Sequence, residues 1–129
     1  MRYLGLDWID AMSAAVAGNA EMQALAAGIT LGITQVVTDG PEGTVSYHLQ
    51  LADGRAVFGA GPAPAEDVRF EQSWTTAVGV ATHTLAAQDV FVKGLVRTGG
   101  DIQKLIGADP VFAALDSAFE SVRTQTEYE

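Results

Sequence analysis

The segment with the most suggestive chemistry is FVKGLVRTGGDIQKL, residues 91–105, in which two glycines separate an apolar run from a predicted helix start. Backbone N–H groups at such a corner can bind a phosphate. A P-loop requires GxxxxGK[ST] and a dinucleotide site requires GxGxxG, however, and the segment contains neither pattern. Asp101 would also repel an anion bound there. We therefore predict a tight corner, in which one of Gly99 and Gly100 takes a positive φ and Asp101 caps the following helix.

Other signals of catalysis or metal binding are weak. His48 and His83 lack a second histidine at metal-ligand spacing, and no serine lies in a GxSxG motif. The absence of cysteine excludes disulfides, thiolate ligands and cysteine nucleophiles. We therefore predict no enzyme activity, no catalytic residue, no metal site and no cofactor. An enzyme of lipid or small-ketide metabolism that uses Asp101 or His83 is a distant alternative.

The net charge indicates which kinds of binding partner the protein is expected to have. Seven Lys and Arg residues against sixteen Asp and Glu residues give a net charge of −9, which predicts no nucleic-acid binding and disfavours contact with anionic membranes. The N-terminal sequence MRYLGLDWIDAM carries two aspartates where a signal peptide needs an unbroken apolar stretch, and no apolar run reaches the roughly 18 residues of a membrane span. Together with the lack of cysteine, these features predict a cytoplasmic location.

The hydropathy pattern predicts an α+β fold in one domain, residues 1–129, because 48% of the residues are hydrophobic and no segment has the composition of a linker. Asp53-Gly54 and the sequence DGPEG at 39–43 mark hairpin turns, so the first four strands should form an antiparallel meander. Ser73 should cap the helix that follows the fourth strand. The predicted order is a helix at 6–27, strands near 29–34, 45–51, 56–58 and 68–72, a helix at 74–86, a strand at 95–98, a short helix, and a helix from Asp109-Pro110 to about Arg123.

Aromatic residues are concentrated on the predicted inward faces of these elements. A close-packed core would explain this, and so would an apolar cavity between the sheet and the helices. Composition alone favours the packed core. The residues are Phe58, Phe70, Trp74, Phe91, Phe112 and Phe119.

The order and spacing of several motifs make the sequence similar to the sterol carrier protein 2 (SCP-2) sterol-transfer family over about residues 28–119. The resemblance implies a five-stranded, largely antiparallel sheet covered by helices. It also implies an apolar tunnel that holds a fatty acyl chain, a sterol or another lipid, without catalysis. The motifs are Tyr47-x-Leu49-x-Leu51-x-Asp53-Gly54, Val57-x-Gly59, Ala65-x-Asp67-Val68, the helix led by Trp74, and Phe91-x-x-Gly94-x-Val96-x-x-x-Gly100-Asp101.

The resemblance also implies where a ligand would bind. Members of the family often carry Lys directly after the glycine at position 94 or two places after it, whereas this chain has Leu95 and Val96 there. With the negative charge, this departure favours soluble carriage or delivery to a protein partner over transfer by membrane collision. By element, the ligand-binding residues would be Trp74, Val78, Phe91, Leu95, Leu105, Phe112, Leu115 and Phe119.

The sequence therefore predicts non-enzymatic binding or carriage of a hydrophobic small molecule or lipid. The alternative is a dimerisation or scaffold module with a filled core, accessory to a larger enzyme system. Whether the chain forms a homodimer stays open in both interpretations.

Overall fold

A five-stranded sheet covered by helices forms the structure, which confirms the predicted α+β class. The computed structural model describes residues 3–41, 43–82, 84–85, 94–123 and 125–126. The strands are β1 (Leu31–Gly40), β2 (Gly43–Ala52), β3 (Arg55–Ala60), β4 (Val68–Ser73) and β5 (Val96–Gly100). The helices are α1 (Leu6–Ala17), α2 (Ala20–Ala26), α3 (Trp74–Ala81) and α4 (Asp109–Arg123), with a 3-10 turn at Ile102–Leu105.

The strand order is β3-β2-β1-β4-β5. As predicted, β1, β2 and β3 follow one another as antiparallel hairpins, and Asp53 and Gly54 both have positive φ in the tight turn between β2 and β3. The prediction that β4 continues this meander is wrong. Instead, the chain crosses to the far side of β1, where β4 pairs with β1 in parallel and β5 pairs with β4 antiparallel.

The segment that makes this crossing, residues 61–67, is here called the crossing loop. It runs over the face of the sheet opposite to the helices, the outer face, where Thr34 and Gln50 are buried polar side chains. Gly32 lets the loop approach, because a Cβ there would lie 2.0 Å from the Ala65 carbonyl oxygen. Four backbone N–H groups attach the loop: Gly61 donates to Ser46 O, Ala63 to Thr34 Oγ1, Ala65 to Gln50 Oε1, and Asp67 to Gly32 O, at 2.9, 2.9, 3.1 and 2.8 Å.

The opposite, inner face carries Ile33, Leu49 and Phe58, whose side chains are almost fully buried. On it, α1 and α2 pack against β3, α3 packs against β1 and β4, and α4 packs on α1 and α2. Burial of each large apolar side chain stabilises the fold by about 1.5–3 kcal/mol, so this layer supplies most of the stability. The buried helical side chains are Trp8, Ile9, Met12 and Val16 of α1 and Val111, Ala114, Ala118 and Val122 of α4.

The helix boundaries differ from the predicted ones in two places. The predicted helix over 6–27 is two helices, because the Asn19 side chain accepts from the Met22 N–H at 3.0 Å and starts α2 as a new helix. The predicted helix over 74–86 ends at Ala81, and the Thr82 hydroxyl donates to the carbonyl of Val78 at 2.7 Å. The predicted cap of that helix is confirmed, since Ser73 Oγ accepts from the N–H of Thr76.

Strand β3 is an edge of the sheet, and a side chain from α2 covers its backbone. Gln23 Nε2 donates to the carbonyl of Ala56 at 3.0 Å, and Gln23 Oε1 accepts from the Ala56 N–H at 2.9 Å. A third bond, from Gln23 Nε2 to Val16 O, joins the same amide to the end of α1. One side chain thus connects both N-terminal helices to the sheet edge.

The corner after β5 is confirmed, although Asp101 acts differently from the prediction. Gly100 has a φ of 89°, and a Cβ there would lie 2.3 Å from the carbonyl oxygen of Asp67. Within the described 3-10 turn, Asp101 makes no side-chain cap, and its backbone N–H donates to Asp67 O at 2.7 Å. The Asp67 carboxylate accepts from the Gly32 N–H and from Lys104 Nζ, both at 2.9 Å. The predicted break before the last helix is also confirmed.

We expect Thr34→Val to lower the free energy of unfolding by about 1–3 kcal/mol, because it leaves the Ala63 N–H buried without its acceptor. Thr34→Ser is the matched control, since it keeps the hydroxyl and loses only a methyl group worth about 0.8 kcal/mol. Urea denaturation followed by tryptophan fluorescence measures both. Equal losses in the two variants would show that the hydroxyl does not hold the crossing loop.

Asp67 should make the free energy of unfolding depend on pH in the acidic range. The hydrogen bond from Lys104 and the Gly32 N–H lower the pKa of the Asp67 carboxyl. The carboxylate of Asp67 therefore contributes fully to folding stability above the pKa of an unfolded aspartate, about 4. This contribution is lost as the pH falls through the lower pKa that Asp67 has in the folded state. We expect Asp67→Asn to cost about 1 kcal/mol at pH 7, as is typical of partly exposed pairs.

The difference in unfolding free energy between Asp67→Asn and the native chain should shrink as the pH falls below about 4, because the unfolded carboxylate takes up its proton there and the folded one only at lower pH. Urea titrations at pH 7 and pH 3 test this. Asp10→Asn, which removes the same charge from an exposed position of α1, is the control. A deficit of Asp67→Asn that is undiminished at pH 3 would contradict the prediction.

Candidate functional site

A cavity of about 320 Å³ lies between the inner face of the sheet, α3 and α4, and it is partly open to solvent. It exists because α4 packs mainly on α1 and α2, whereas α3 lies directly on β1 and β4. The space between the two helices and the sheet is therefore only partly filled by side chains. Its volume falls at the lower end of the range of about 300–1,000 Å³ that is typical of small-molecule sites.

Most of the helical wall of the cavity is apolar. Phe112, Leu115 and Phe119 come from α4 at spacings of three and four residues, which places them on one face of that helix. Ala77 and Val80 contribute from α3. The Phe112 ring also packs against Phe70 of β4, with 6.4 Å between ring centroids, so α4 reaches the sheet at this point.

An aromatic wall closes one side of the cavity. The rings of Tyr3, Tyr47 and Phe119 line it, and each packs against the indole of Trp8 in a T-shaped arrangement at centroid distances of 5.0, 5.8 and 5.6 Å. Trp8 is 1% exposed. Such edge-to-face contacts add about 0.5–1.5 kcal/mol per pair beyond area burial, and they hold the wall in a fixed geometry.

Polar groups lie on the sheet side of the cavity. Gln35 of β1 and Gln72 of β4 are on the inner face, and Gln72 Nε2 donates to Gln35 Oε1 at 3.3 Å. Tyr47 is directly opposite Gln35 in the β1–β2 register. Burial raises the pKa of the Tyr47 phenol, and a hydrogen bond with the Tyr3 side chain opposes this with a smaller effect. Tyr47 is therefore neutral at physiological pH.

Charged side chains lie where α4 borders the cavity. Arg123 and Asp116 line it, with 3.4 Å between Arg123 Nη2 and Asp116 Oδ1. Arg123 also forms an ion pair with Glu120 and stacks over the ring of Phe119 at 4.9 Å. One guanidinium thus meets two carboxylates, so this charge cluster has a net charge of −1.

Three of the eight predicted ligand-binding residues, Phe112, Leu115 and Phe119, line the cavity. Trp74 and Val78 pack against the hydrophobic core instead, although both belong to α3 as predicted. The predictions for Phe91 and for the Leu105 side chain lie outside the described part of the structure. Leu95 borders a different, more polar depression of about 280 Å³; its other lining residues are Thr38, Glu71, Gln72, Ser73, Gly94 and Arg97.

Sequence reasoning missed the polar residues of the cavity. Gln35 follows Ile33 and precedes Val37 on the same face of β1, so a polar side chain in an inward-facing register was the available signal. The same holds for Gln72 after Phe70 in β4. No periodic pattern identifies Tyr3, because it lies before the first helix.

Neither a metal site nor a membrane-spanning helix is found in the described ranges. Groups of three or more His, Asp or Glu side chains that could hold a metal ion do not occur among the residues that the structure describes. In the same ranges, each helix is too short or too polar to cross a membrane.

Comparison with known proteins places this geometry in a known fold. No protein-family model and no curated protein matches the sequence. Among solved structures, the chain is similar to a crystal structure of sterol carrier protein 2, with 22% identity, a TM-score of 0.65, and coverage of 94% of this chain and 97% of that chain.

Two further solved structures share the architecture. A protein from Thermus thermophilus, described as possibly a sterol carrier protein, has 17% identity and a TM-score of 0.67 over 96% of this chain and 90% of that one. Palmitated SCP2L2 from Aedes aegypti has 13% identity and a TM-score of 0.54 over 82% and 93%. The chain therefore has the fold of sterol carrier protein 2, as the sequence resemblance predicts.

Proposed function

We propose that this protein binds a hydrophobic small molecule in the cavity between the sheet, α3 and α4, and carries it without chemical change. The cavity itself is the observation that carries the proposal. Most of its helical wall is formed by apolar side chains, including Val80 and Leu115, and it is a partly open cavity rather than a flat surface. A cavity of about 320 Å³ suits a single acyl chain better than a larger ligand.

An acyl chain is the first ligand class to test. The Aedes aegypti SCP2L2 with the same fold is palmitated, which supports this choice. Removal of a methylene group from water contributes about 0.8 kcal/mol, so ten methylenes contribute roughly 8 kcal/mol before the cost of association. Binding of this strength is reversible, and a carrier requires a ligand that can leave.

The residues that line the cavity favour binding over catalysis. Gln35, Gln72 and Tyr47 are neutral hydrogen-bonding groups, and the Asp116 carboxylate is paired with Arg123. General acid–base catalysis would need a group whose pKa lies near the operating pH, whereas the pKa of Tyr47 is raised away from it. Asp101, one of the two residues of the enzyme alternative, is exposed at the end of β5 rather than in this lining.

We expect Val80→Trp to abolish or strongly weaken ligand uptake, because an indole at this half-buried position fills much of the cavity. Displacement of a fluorescent fatty acid measures binding, and native mass spectrometry of protein purified from its own host detects a ligand that travels with it. Loss of affinity should be at least tenfold, whereas thermal stability should change little because filled cavities regain packing contacts.

Thr75→Trp is the matched control, since it adds the same indole to an exposed position of the same helix. It should bind the probe as the native chain does. If the native chain neither carries a ligand nor takes up the probe, the binding proposal fails and the scaffold or dimerisation module becomes the better interpretation. If Val80→Trp binds normally, the ligand does not occupy this cavity.

A further inference from the structure

The depression of about 280 Å³ that Leu95 borders lies at the end of the sheet where β1 and β4 finish and β5 begins. We call it the polar depression. Of its lining residues, Glu71 and Arg97 are the two that carry charge, and their charges sum to zero. Gln72 borders both this depression and the cavity of the proposed function, so the two spaces are adjacent.

The sheet register places Glu71 and Arg97 directly opposite each other. They are Cα partners in the antiparallel pairing of β4 with β5, and the Cβ atoms of such partners are about 4.5–5.5 Å apart. Both side chains point to the outer face, because Gln72 points to the inner face and side chains alternate along a strand. An ion pair across the two strands is therefore the arrangement that the register alone would predict.

Glu71 and Arg97 nevertheless form no ion pair with each other or with any other described residue. Arg97 is exposed and Glu71 is half-buried, and both border the polar depression. A guanidinium and a carboxylate thus face the same open space from neighbouring strands, each without a partner of opposite charge in the described structure. The ion pairs found there are Arg69–Glu66, Lys104–Asp67, Arg123–Asp116 and Arg123–Glu120.

The neutral polar side chains of the depression already have partners. Thr38 Oγ1 donates to the carbonyl of Gln72 at 3.4 Å, and Ser73 Oγ donates to Thr76 Oγ1 at 3.1 Å. The side-chain amide of Gln72 donates to Gln35 on the inner face. The two charged side chains are therefore the groups of this lining that a ligand can engage without competing for an existing bond.

This pair of charges selects among charged ligands. An anion would be attracted by Arg97 and repelled by Glu71, and a cation would meet the reverse, so neither is favoured overall. A zwitterion satisfies both groups. Its carboxylate or phosphate can bind the planar guanidinium through two hydrogen bonds, and its ammonium group can lie against the Glu71 carboxylate.

We propose that the polar depression is a second binding site, which takes a zwitterionic group with its anionic end on Arg97 and its cationic end on Glu71. Two sources can supply that group. One is a free small zwitterion, and this possibility is independent of the proposed function. The other is the head group of a lipid whose chain occupies the cavity that Gln72 also borders, and this possibility rests on the proposed function.

Backbone amide shifts of residues 71–73 and 94–97 in ¹⁵N–¹H spectra of the full chain report binding in the polar depression. Glycine betaine should bind about fivefold more tightly than acetate or tetramethylammonium, as expected when each analogue lacks one exposed ion pair. N-dodecylbetaine, used below its micelle-forming concentration, should show the same preference over dodecanoate and dodecyltrimethylammonium at these amides. The proposal fails if neither zwitterion is preferred there to its two singly charged analogues.

Charge variants test the two recognition groups. Arg97→Gln and Glu71→Gln should each weaken binding of the preferred zwitterion about fivefold. Glu71→Arg combined with Arg97→Glu should restore it, because the exchange keeps one charge of each sign across the strands. Arg69→Gln is the matched control, since it removes a cation of β4 that is paired with Glu66.

The Arg69→Gln variant should bind as the native chain does, and thermal unfolding checks that each variant is folded. Unchanged affinity in Arg97→Gln and Glu71→Gln would overturn the proposal. So would a charge exchange that binds no better than the single variants, because the zwitterion would then not be recognised by the two charges.

Val80→Trp, which fills the cavity, separates the two sources. If the dodecyl chain tightens binding over glycine betaine and Val80→Trp removes that gain, the group is a lipid head group. If the chain adds nothing, the ligand is a free zwitterion, and either result supports the site. Failure of a fluorescent fatty acid to bind would remove the proposed function of the cavity, whereas the comparison of glycine betaine with its analogues would still decide the polar depression.

Discussion

The path of residues 61–67 over the outer face is the constraint on which the rest of this structure depends. A backbone that crosses a sheet must find partners for its N–H groups, and here β1 and β2 supply them through Thr34, Gln50 and two carbonyls. Gly32 supplies the space. The loop lies on the outer face, and the described helices α1 to α4 cover the inner one. The crossing also delivers β4 to the free side of β1, so that β1 becomes the central strand.

The chemistry of the cavity follows from this strand order. Gln35 and Gln72 are 37 positions apart in the sequence, yet the parallel pairing of β1 with β4 places them within hydrogen-bonding distance. Tyr47 reaches the same area from β2, on the other side of β1. The helical wall has a separate origin, in the apolar stripe of α4. A polar sheet side and a mostly apolar helical side thus arise from two independent parts of the chain.

Much of this arrangement can be predicted from the sequence, and the parts that cannot share a physical cause. Alternating hydropathy and the Asp53-Gly54 turn predict the hairpins, because these signals are local. The resemblance to the sterol carrier protein 2 family implies Phe112, Leu115 and Phe119 as ligand-binding residues, and all three line the cavity. The parallel β1–β4 pairing depends on contacts distant in sequence, so the amide pair it creates was missed. The break at Asn19 was missed because apolar periodicity continues across it, although Asn is itself a capping residue.

The two hydrogen bonds between Gln23 and Ala56 have a consequence for how copies of this chain meet. An edge strand invites another strand to add to it, and such additions lead to unintended association. Near the start of this edge, at the second residue of β3, the N–H and carbonyl of Ala56 are already engaged by one amide. An incoming strand would have to break both bonds and detach α2 from the sheet. The N-terminal helices therefore protect the edge against growth of the sheet into larger assemblies, a role separate from their contribution to the core.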